Sequence, residues 1–223
     1  MNWNYGDAYL RHPIETGTAV FDDGSRLTAA DITDIVPAWI TDADLVFVDP
    51  PWNKGNLQSF YTKADKGYAP VNDFSEFYHY LFYLIDQISP RTAYVEVGKE
   101  YLPDFVMEMR KIFKHVTFYN STYYHKPNNL CYIVRGSKKF EKPEFLKGID
   151  GTDEEDFISL VCGNEDYSCV ADLCVGRGLV PIAAARNGKR FVCTELNHKR
   201  LSVAIERLTK DGHTYKIEME ETK

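Results

Sequence analysis

No apolar run in these 223 residues approaches the length of a membrane span. The longest, such as Leu45–Val48, would cover only a fraction of a bilayer. The amino-terminal stretch carries neither a basic region nor an apolar core of leader type, so no secretory signal is read and a cytoplasmic location is expected. Cysteine is scarce: Cys131, Cys162, Cys169, Cys174 and Cys193 are five in number, with no C-x-x-C spacing and no Cys/His pair of zinc type. A disulfide framework is excluded, no metal is expected, and the thiols read as reduced and mainly buried. An excess of positive charge is missing too. With 26 Lys and Arg against 33 Asp and Glu the net charge is -7, so the surface as a whole is no trap for a polyanion, although a local basic patch is compatible with that balance.

What is there is an ordinary globular composition, 44% hydrophobic and 26% charged, at a length that fits one large domain. Short β-rich runs alternate with helical patterns. Leu45–Val48 reads as a buried strand stopped by Pro50 and Pro51. Asp73 with Glu76 signals a helix start, and Phe74, Phe77, Tyr78, Leu81, Phe82, Ile85 and Ile88 follow at helical spacing as far as Pro90. Thr92–Val97 reads as a strand, Pro103 introduces a helix, and Val116–Tyr119 returns to strand. Asn128-Asn129 is the turn expected between strands at Thr122–Tyr124 and Cys131–Val134. Arg135–Lys147 and the acidic cluster Asp150, Asp153, Glu154, Glu155 and Asp156 read as a solvated connection. In the last third, strands at Cys169–Leu173 and Arg190–Thr194 alternate with helices at Val180–Arg186 and Lys199–Leu208. Alternation of this kind means β-α-β units, a mostly parallel sheet with helices on both faces, and an α/β fold.

Two strand-end loops carry groups suited to chemistry. In Asp172-Leu173-Cys174-Val175-Gly176-Arg177-Gly178, glycine allows a ligand close to the backbone, and Glu195, at the end of the next strand, can take the two hydroxyls of a ribose. No Gly-Lys-Ser/Thr follows, so an adenosine-bearing cofactor without a triphosphate fits better than a nucleotide of the P-loop kind. The second loop is Asp49-Pro50-Pro51-Trp52. Its two prolines hold the backbone stiffly, so the Asp49 carboxylate and the Pro50 carbonyl can form an acceptor pair, as an exocyclic amino group requires, while Trp52 offers a stacking face.

Together, D-P-P-W first and the glycine loop near the carboxyl end, the sequence resembles the S-adenosylmethionine-dependent amino methyltransferases of nucleic acid bases, in the permuted arrangement called class beta. Tyr5-Gly6-Asp7-Ala8, Glu141-Lys142-Pro143 and the run from Gly188 through Glu195 and Asn197 to Leu208 extend the resemblance over most of the chain. It departs in the glycine loop, where Leu173, Cys174 and Leu179 stand for the usual proline, phenylalanine and threonine. The resemblance implies one Rossmann-like methyltransferase domain over 1–223, with a short variable or recognition segment at about 135–156. It implies transfer of a methyl group from S-adenosylmethionine to adenine N6 in DNA. Asp49, Pro50, Pro51 and Trp52 are then catalytic, and Asp7, Asp172, Cys174, Gly176, Gly178, Glu195 and Asn197 hold the cofactor. Tyr61, Tyr123 and Tyr124 are candidate base-pocket walls, and Lys138, Lys139, Lys142 and Lys147 candidate phosphate contacts. RNA as substrate, a non-catalytic binding subunit, and a homodimer or partner subunit that supplies specificity stay open.

Overall fold

The computed structural model describes residues 5–34 and 36–219; the beginning of the stretch read above for a leader lies outside them. In chain order the elements are α1 (Ala8–Arg11), β1 (Thr18–Phe21), β2 (Arg26–Ala29), β3 (Leu45–Val48), α2 (Lys54–Lys63), α3 (Phe74–Ile88) and β4 (Thr92–Val97), then α4 (Leu102–Ile112), β5 (His115–Tyr123) and β6 (Lys126–Ser137). They continue with β7 (Thr152–Asp153), α5 (Glu154–Asn164), β8 (Cys169–Asp172), α6 (Leu179–Arg186), β9 (Arg190–Glu195), α7 (His198–Lys210) and β10 (Tyr215–Glu218).

The strands form one sheet in the order β10-β1-β2-β9-β8-β3-β4-β6-β5-β7. The run β2-β9-β8-β3-β4 is parallel, and β6 runs antiparallel to both β4 and β5. Side-chain alternation explains the two-sided core. Leu45 and Phe47 enter one apolar cluster with Phe157 of α5, Val180 of α6 and Leu201 of α7. Val46 and Val48 enter the other, with Phe77 and Leu81 of α3 and Phe105 of α4. A strand buried on both faces reads as a continuous apolar run, as Leu45–Val48 does.

The chain leaves β8 through α6 toward β9, and leaves β3 through α2 and α3 toward β4, so the two central neighbours diverge in opposite directions with their helices on opposite faces. Such a switch point opens a crevice at the carboxyl ends of the strands. Both loops singled out in the sequence, after β3 and after β8, end at that crevice.

Several local expectations need correction. The β5–β6 turn is not at Asn128-Asn129, which lie within β6, but at Tyr124-His125, both in left-handed backbone at φ 59° and 52°. Neither residue is glycine. The conformation is held from outside: the His125 amide donates to Asp153 Oδ2 at 2.6 Å, and the Asn129 amide group donates to the Tyr123 carbonyl at 3.2 Å. Arg135 is no part of a solvated connection, being buried at the end of β6 where its Nε donates to the Tyr94 hydroxyl at 3.0 Å. The acidic cluster is a helix start. Asp153 caps α5 by accepting from the Glu155 amide, Glu154 to Asp156 fill the first turn where the helix dipole favours them, and Glu154 is buried.

A candidate active site at the switch point

The crevice is a cavity of about 630 Å³, within the range of small-ligand sites. It takes its walls from the ends of β2, β3, β8 and β9 with their loops, from the helices α2, α5 and α7, and from the β5–β6 hairpin.

Asp49, immediately after β3, is half-buried, its open side on the cavity. Trp52 donates its indole N–H to Asp49 Oδ1 at 3.0 Å, and the Tyr123 hydroxyl donates to Oδ2 at 3.0 Å. The two aromatic rings meet edge to face with centroids 5.1 Å apart. The rear of Trp52 lies over Gly98, where a Cβ would come within 3.2 Å of the ring, so glycine is what lets the indole settle beside Asp49. Burial pushes the Asp49 carboxyl up to about 6, against the lowering effect of the two donors and of the Arg200 charge.

Two further carboxyls stand beside it. Glu96 on β4 and Glu154 on α5 bring one oxygen each to within 4.8 Å of one another and of Asp49. Glu96 is fully buried, and the only donor beside it among the described residues is the weak one of the Cys131 thiol. Burial, then the charges of Asp49 and Glu154, raise it well above the usual carboxylate range. Burial followed by Asp49, Asp153 and Glu155 pushes Glu154 up to about 9. A pair of like charges at this separation repels by on the order of 3 kcal/mol even at an effective dielectric of about 20, which opposes ionisation of more than one of the three. The Trp52 and Tyr123 donors favour Asp49 as the ionised member.

Across the cavity, the loop after β8 is shaped by carboxylates accepting backbone amides. Asp172 Oδ1 accepts from Cys174 at 3.0 Å, while Glu195 accepts from Gly176 at 2.8 Å and from Asn197 at 3.0 Å. Gly176 has φ 56°, a left-handed conformation that glycine adopts freely. Arg200 lines the same wall, its guanidinium over the Phe60 ring at 5.0 Å, with Glu195 and Asp49 as its nearest opposing charges in effect.

Of the residues singled out in the sequence, Asp49, Pro50, Pro51, Trp52, Tyr61, Tyr123, Tyr124, Asp172, Cys174, Gly176 and Glu195 line this one cavity. Tyr61 does so while its hydroxyl donates to the Asp31 carboxylate at 2.6 Å, a fixed wall rather than a mobile one. Seven others do not line it, among them Lys147, exposed and donating to the Glu144 carboxylate at 3.2 Å. Asp7 is exposed at the start of α1. Gly178 is a packing glycine, since a Cβ there would lie 2.8 Å from Ala204 Cβ of α7. Asn197 is a buried helix cap that accepts from the Lys199 amide at 2.9 Å and donates to the Lys63 carbonyl at 2.9 Å, tying α7 to α2. Lys138, Lys139 and Lys142 lie beyond the carboxyl end of β6, which runs antiparallel to β4. They therefore sit at the opposite edge of the sheet, where the Lys138 ammonium donates to the Ser89 carbonyl at 2.6 Å.

The sequence reading missed Asp31, Glu96, Glu154 and Arg200. Two had signals. Asp153 followed by Glu154, Glu155 and Asp156 ahead of Phe157 and Ile158 is a helix-start pattern that aims its first turn at the strand ends. Arg200 is a cation in the first turn of α7, where the helix dipole disfavours it, a placement explained by the carboxylates it faces.

No protein-family model and no curated protein sequence matches the chain. Solved structures do. The M1.HpyAVI–SAM complex superimposes with TM-score 0.55 at 13% identity, over 81% of this chain and 98% of that one. TTHA0409 of Thermus thermophilus, a putative DNA modification methylase complexed with S-adenosyl-L-methionine, gives 0.56 at 15% identity over 88% and 99%. PvuII DNA methyltransferase (cytosine-N4-specific) gives 0.57 at 9% identity over 87% and 89%. The chain shares the fold of these solved methyltransferases. In that methyltransferase fold the cavity lies where the central parallel strands part, with Asp49 on one side of the switch point and Asp172 and Glu195 on the other.

Proposed function

We propose that the chain transfers the methyl group of S-adenosylmethionine to an exocyclic amino group of a base in DNA, adenine N6. The observation that carries this reading is the meeting of Asp49-Pro50-Pro51-Trp52 with the Asp172–Gly176 loop and Glu195 in one cavity. The residues present suit the cofactor by their chemistry. Glu195 accepts one backbone amide on each oxygen and keeps a lone pair on each for ribose hydroxyls, Asp172 offers a buried acceptor for an ammonium, and Val175 and Leu196 give apolar contact.

S-adenosylmethionine supplies an electrophilic methyl on a sulfonium. The chain's own residues prepare the nucleophile. An aromatic amino nitrogen is conjugated with its ring and a poor nucleophile. Hydrogen bonds from its N–H groups to the Asp49 carboxylate and the Pro50 carbonyl localise the lone pair and stabilise the positive charge that develops on nitrogen. The donors Trp52 and Tyr123 hold the carboxylate in one orientation, and Arg200 favours its ionised form. The rings of Tyr123 and Tyr124 form the wall for a base taken out of the stack. The cations at the cavity, Lys63, Arg177 and Arg207, replace the β6-end lysines as candidate phosphate contacts.

Calorimetry with S-adenosylmethionine followed by tritiated methyl transfer to DNA and to RNA tests this reading, with Asp49→Ala as control. Binding, DNA labelling recovered as N6-methyladenine, and at least about a thousandfold loss in Asp49→Ala are expected. N4-methylcytosine as product would move the substrate to cytosine, the base for which the structurally similar PvuII methyltransferase is specific. An Asp49→Ala variant as active as the parent would sink the mechanism.

A further inference from the structure

The proposed reaction uses Asp49 but gives no part to the two carboxyls packed beside it, and one of these faces the cavity. We infer that Glu154, held as a neutral carboxylic acid, is a hydrogen-bond donor that reads the ring nitrogen adjacent to the reacting amino group, selecting bases that present an amino group beside an unprotonated ring nitrogen. The inference rests on the methyl-transfer reading above.

Geometry carries it. Glu154 is the first residue of α5, buried, and lines the cavity together with Asp49. Its carboxyl, that of Glu96 and that of Asp49 lie within 4.8 Å of one another. Glu96 is fully buried, with no hydrogen-bond donor beside it among the described residues other than the weak one of the Cys131 thiol, and is aimed into this group. Three carboxylates so placed cannot all be ionised. Asp49 receives the Trp52 and Tyr123 donors and the Arg200 field, so it keeps the charge. Glu96 and Glu154 keep the protons, and the direction in which burial and neighbouring carboxylates move both agrees. Glu96 is the member that cannot turn to solvent. It acts through Glu154 and Asp49, a positioning residue that confines ionisation to one place.

An ionised carboxylate only accepts, whereas a protonated one donates. The cavity wall therefore presents an acceptor at Asp49 and a donor at Glu154, side by side. Adenine and cytosine offer the complement, an amino donor next to a ring-nitrogen acceptor. Thymine, and guanine along its O6–N1 side, offer the reverse, a carbonyl oxygen next to a ring N–H, which would set acceptor against acceptor and donor against donor. Rejection by unpaired buried polar groups is the strong form of base selectivity.

The test uses the full chain and single-stranded oligonucleotides carrying one target adenine or, in its place, 1-deazaadenine, which keeps the amino group and loses the adjacent ring acceptor. If cytosine is the base methylated, 3-deazacytosine takes that place. The parent is expected to lose about tenfold to a hundredfold in kcat/KM on the deaza base. Glu154→Ala is expected to treat the two bases alike, and Glu154→Gln, whose amide still donates, to restore the discrimination. Parent and Glu154→Ala showing the same ratio between the two bases would overturn the inference while leaving methyl transfer intact. Activity lost in EDTA and restored by Mg²⁺ would also overturn it, because a divalent cation and not a pair of protons would then neutralise the carboxyls. Absence of methyl transfer by the parent to any base would overturn both this inference and the reading it rests on.

Discussion

Replacing Tyr123 by phenylalanine removes a single oxygen from the centre of the site. The ring that meets Trp52 edge to face at 5.1 Å is retained, while the donor to Asp49 Oδ2 at 3.0 Å is lost. A hydrogen bond to an ionised group contributes about 1.5–3 kcal/mol, and water entering from the open cavity returns part of it. A net loss of about 1.4 kcal/mol is one pH unit. The Asp49 carboxyl, already pushed up to about 6 by burial, then titrates near 7. Because the proposed reaction needs the ionised form, activity is present above that value and lost as pH falls through it. The acid limb of kcat/KM against pH is expected to move upward by about one unit in Tyr123→Phe. That is a loss of about fivefold at pH 6 which nearly vanishes by pH 8.5. Isotope-edited NMR of the aspartate carboxyls, with Asp49→Asn to assign the signal, reads the same shift without turnover. A uniform fall in rate with an unmoved acid limb would refute the reasoning and leave Tyr123 as a wall of the base pocket only.

Four other variants address separate parts of the structure. Glu96→Gln removes a group whose folded-state value lies well above its ordinary 4.5, so the native state holds a proton that the unfolded chain releases and the parent loses stability as pH rises. The variant's Tm is expected to exceed the parent's by a margin that is small near pH 5 and grows toward pH 9; an equal margin at both refutes this. Gly178→Ala places a Cβ 2.8 Å from Ala204 Cβ at φ 86° and is expected to lower unfolding stability in urea by about 1–3 kcal/mol, whereas an unchanged midpoint would contradict the close α6–α7 packing. Asn197→Ala removes the α7 cap and the tie to the Lys63 carbonyl, and should cost about 1 kcal/mol of stability and weaken S-adenosylmethionine binding through Glu195 and Arg200. Exchanging Lys138, Lys139 and Lys142 for glutamine is expected to leave the salt slope of DNA binding within about one unit of the parent's, and a larger change would return these lysines to the interface.

The legible parts of the sequence were those where local pattern and tertiary role coincide. Leu45–Val48, Phe74–Ile88 and Thr92–Val97 have in the structure the bounds their spacing suggests: Leu45–Val48 is continuously apolar as a strand buried on both faces, Thr92–Val97 is a β-rich run that begins after Pro90, and the Asp73 carboxylate accepts from the Glu76 amide at 3.0 Å to start the helix. The two loops at the switch point were legible for the same reason: proline and glycine mark where chains stop pairing. What escaped depended on partners distant in sequence. The Tyr124-His125 turn has neither glycine nor asparagine, and its left-handed backbone is held by Asp153, 28 residues from His125. Glu154 read as one of a run of surface acids because nothing local tells which member of that run turns inward; its burial follows from the pairing of β7 with β5. The lysines were misplaced by strand direction, which composition does not encode.

The net charge of -7 acquires a position once the cavity is drawn. Carboxyls gather on its inner walls, at Asp49, Glu154, Asp172 and Glu195, while Lys63, Arg177, Arg200 and Arg207 line the same space. The Asp49 carboxylate suits a positively charged sulfonium and the amino group of a single extruded base, so the proposed substrate is drawn in as one neutral base while its phosphates stay with the cations. Arg177 is exposed, and Lys63 and Arg207 are half-buried. Exchanging Lys63 and Arg177 together for alanine should therefore weaken DNA binding, and reduce its salt slope by about two, without altering S-adenosylmethionine affinity. A double variant that loses cofactor and DNA in parallel would mean that these cations shape the inner cavity and not its mouth.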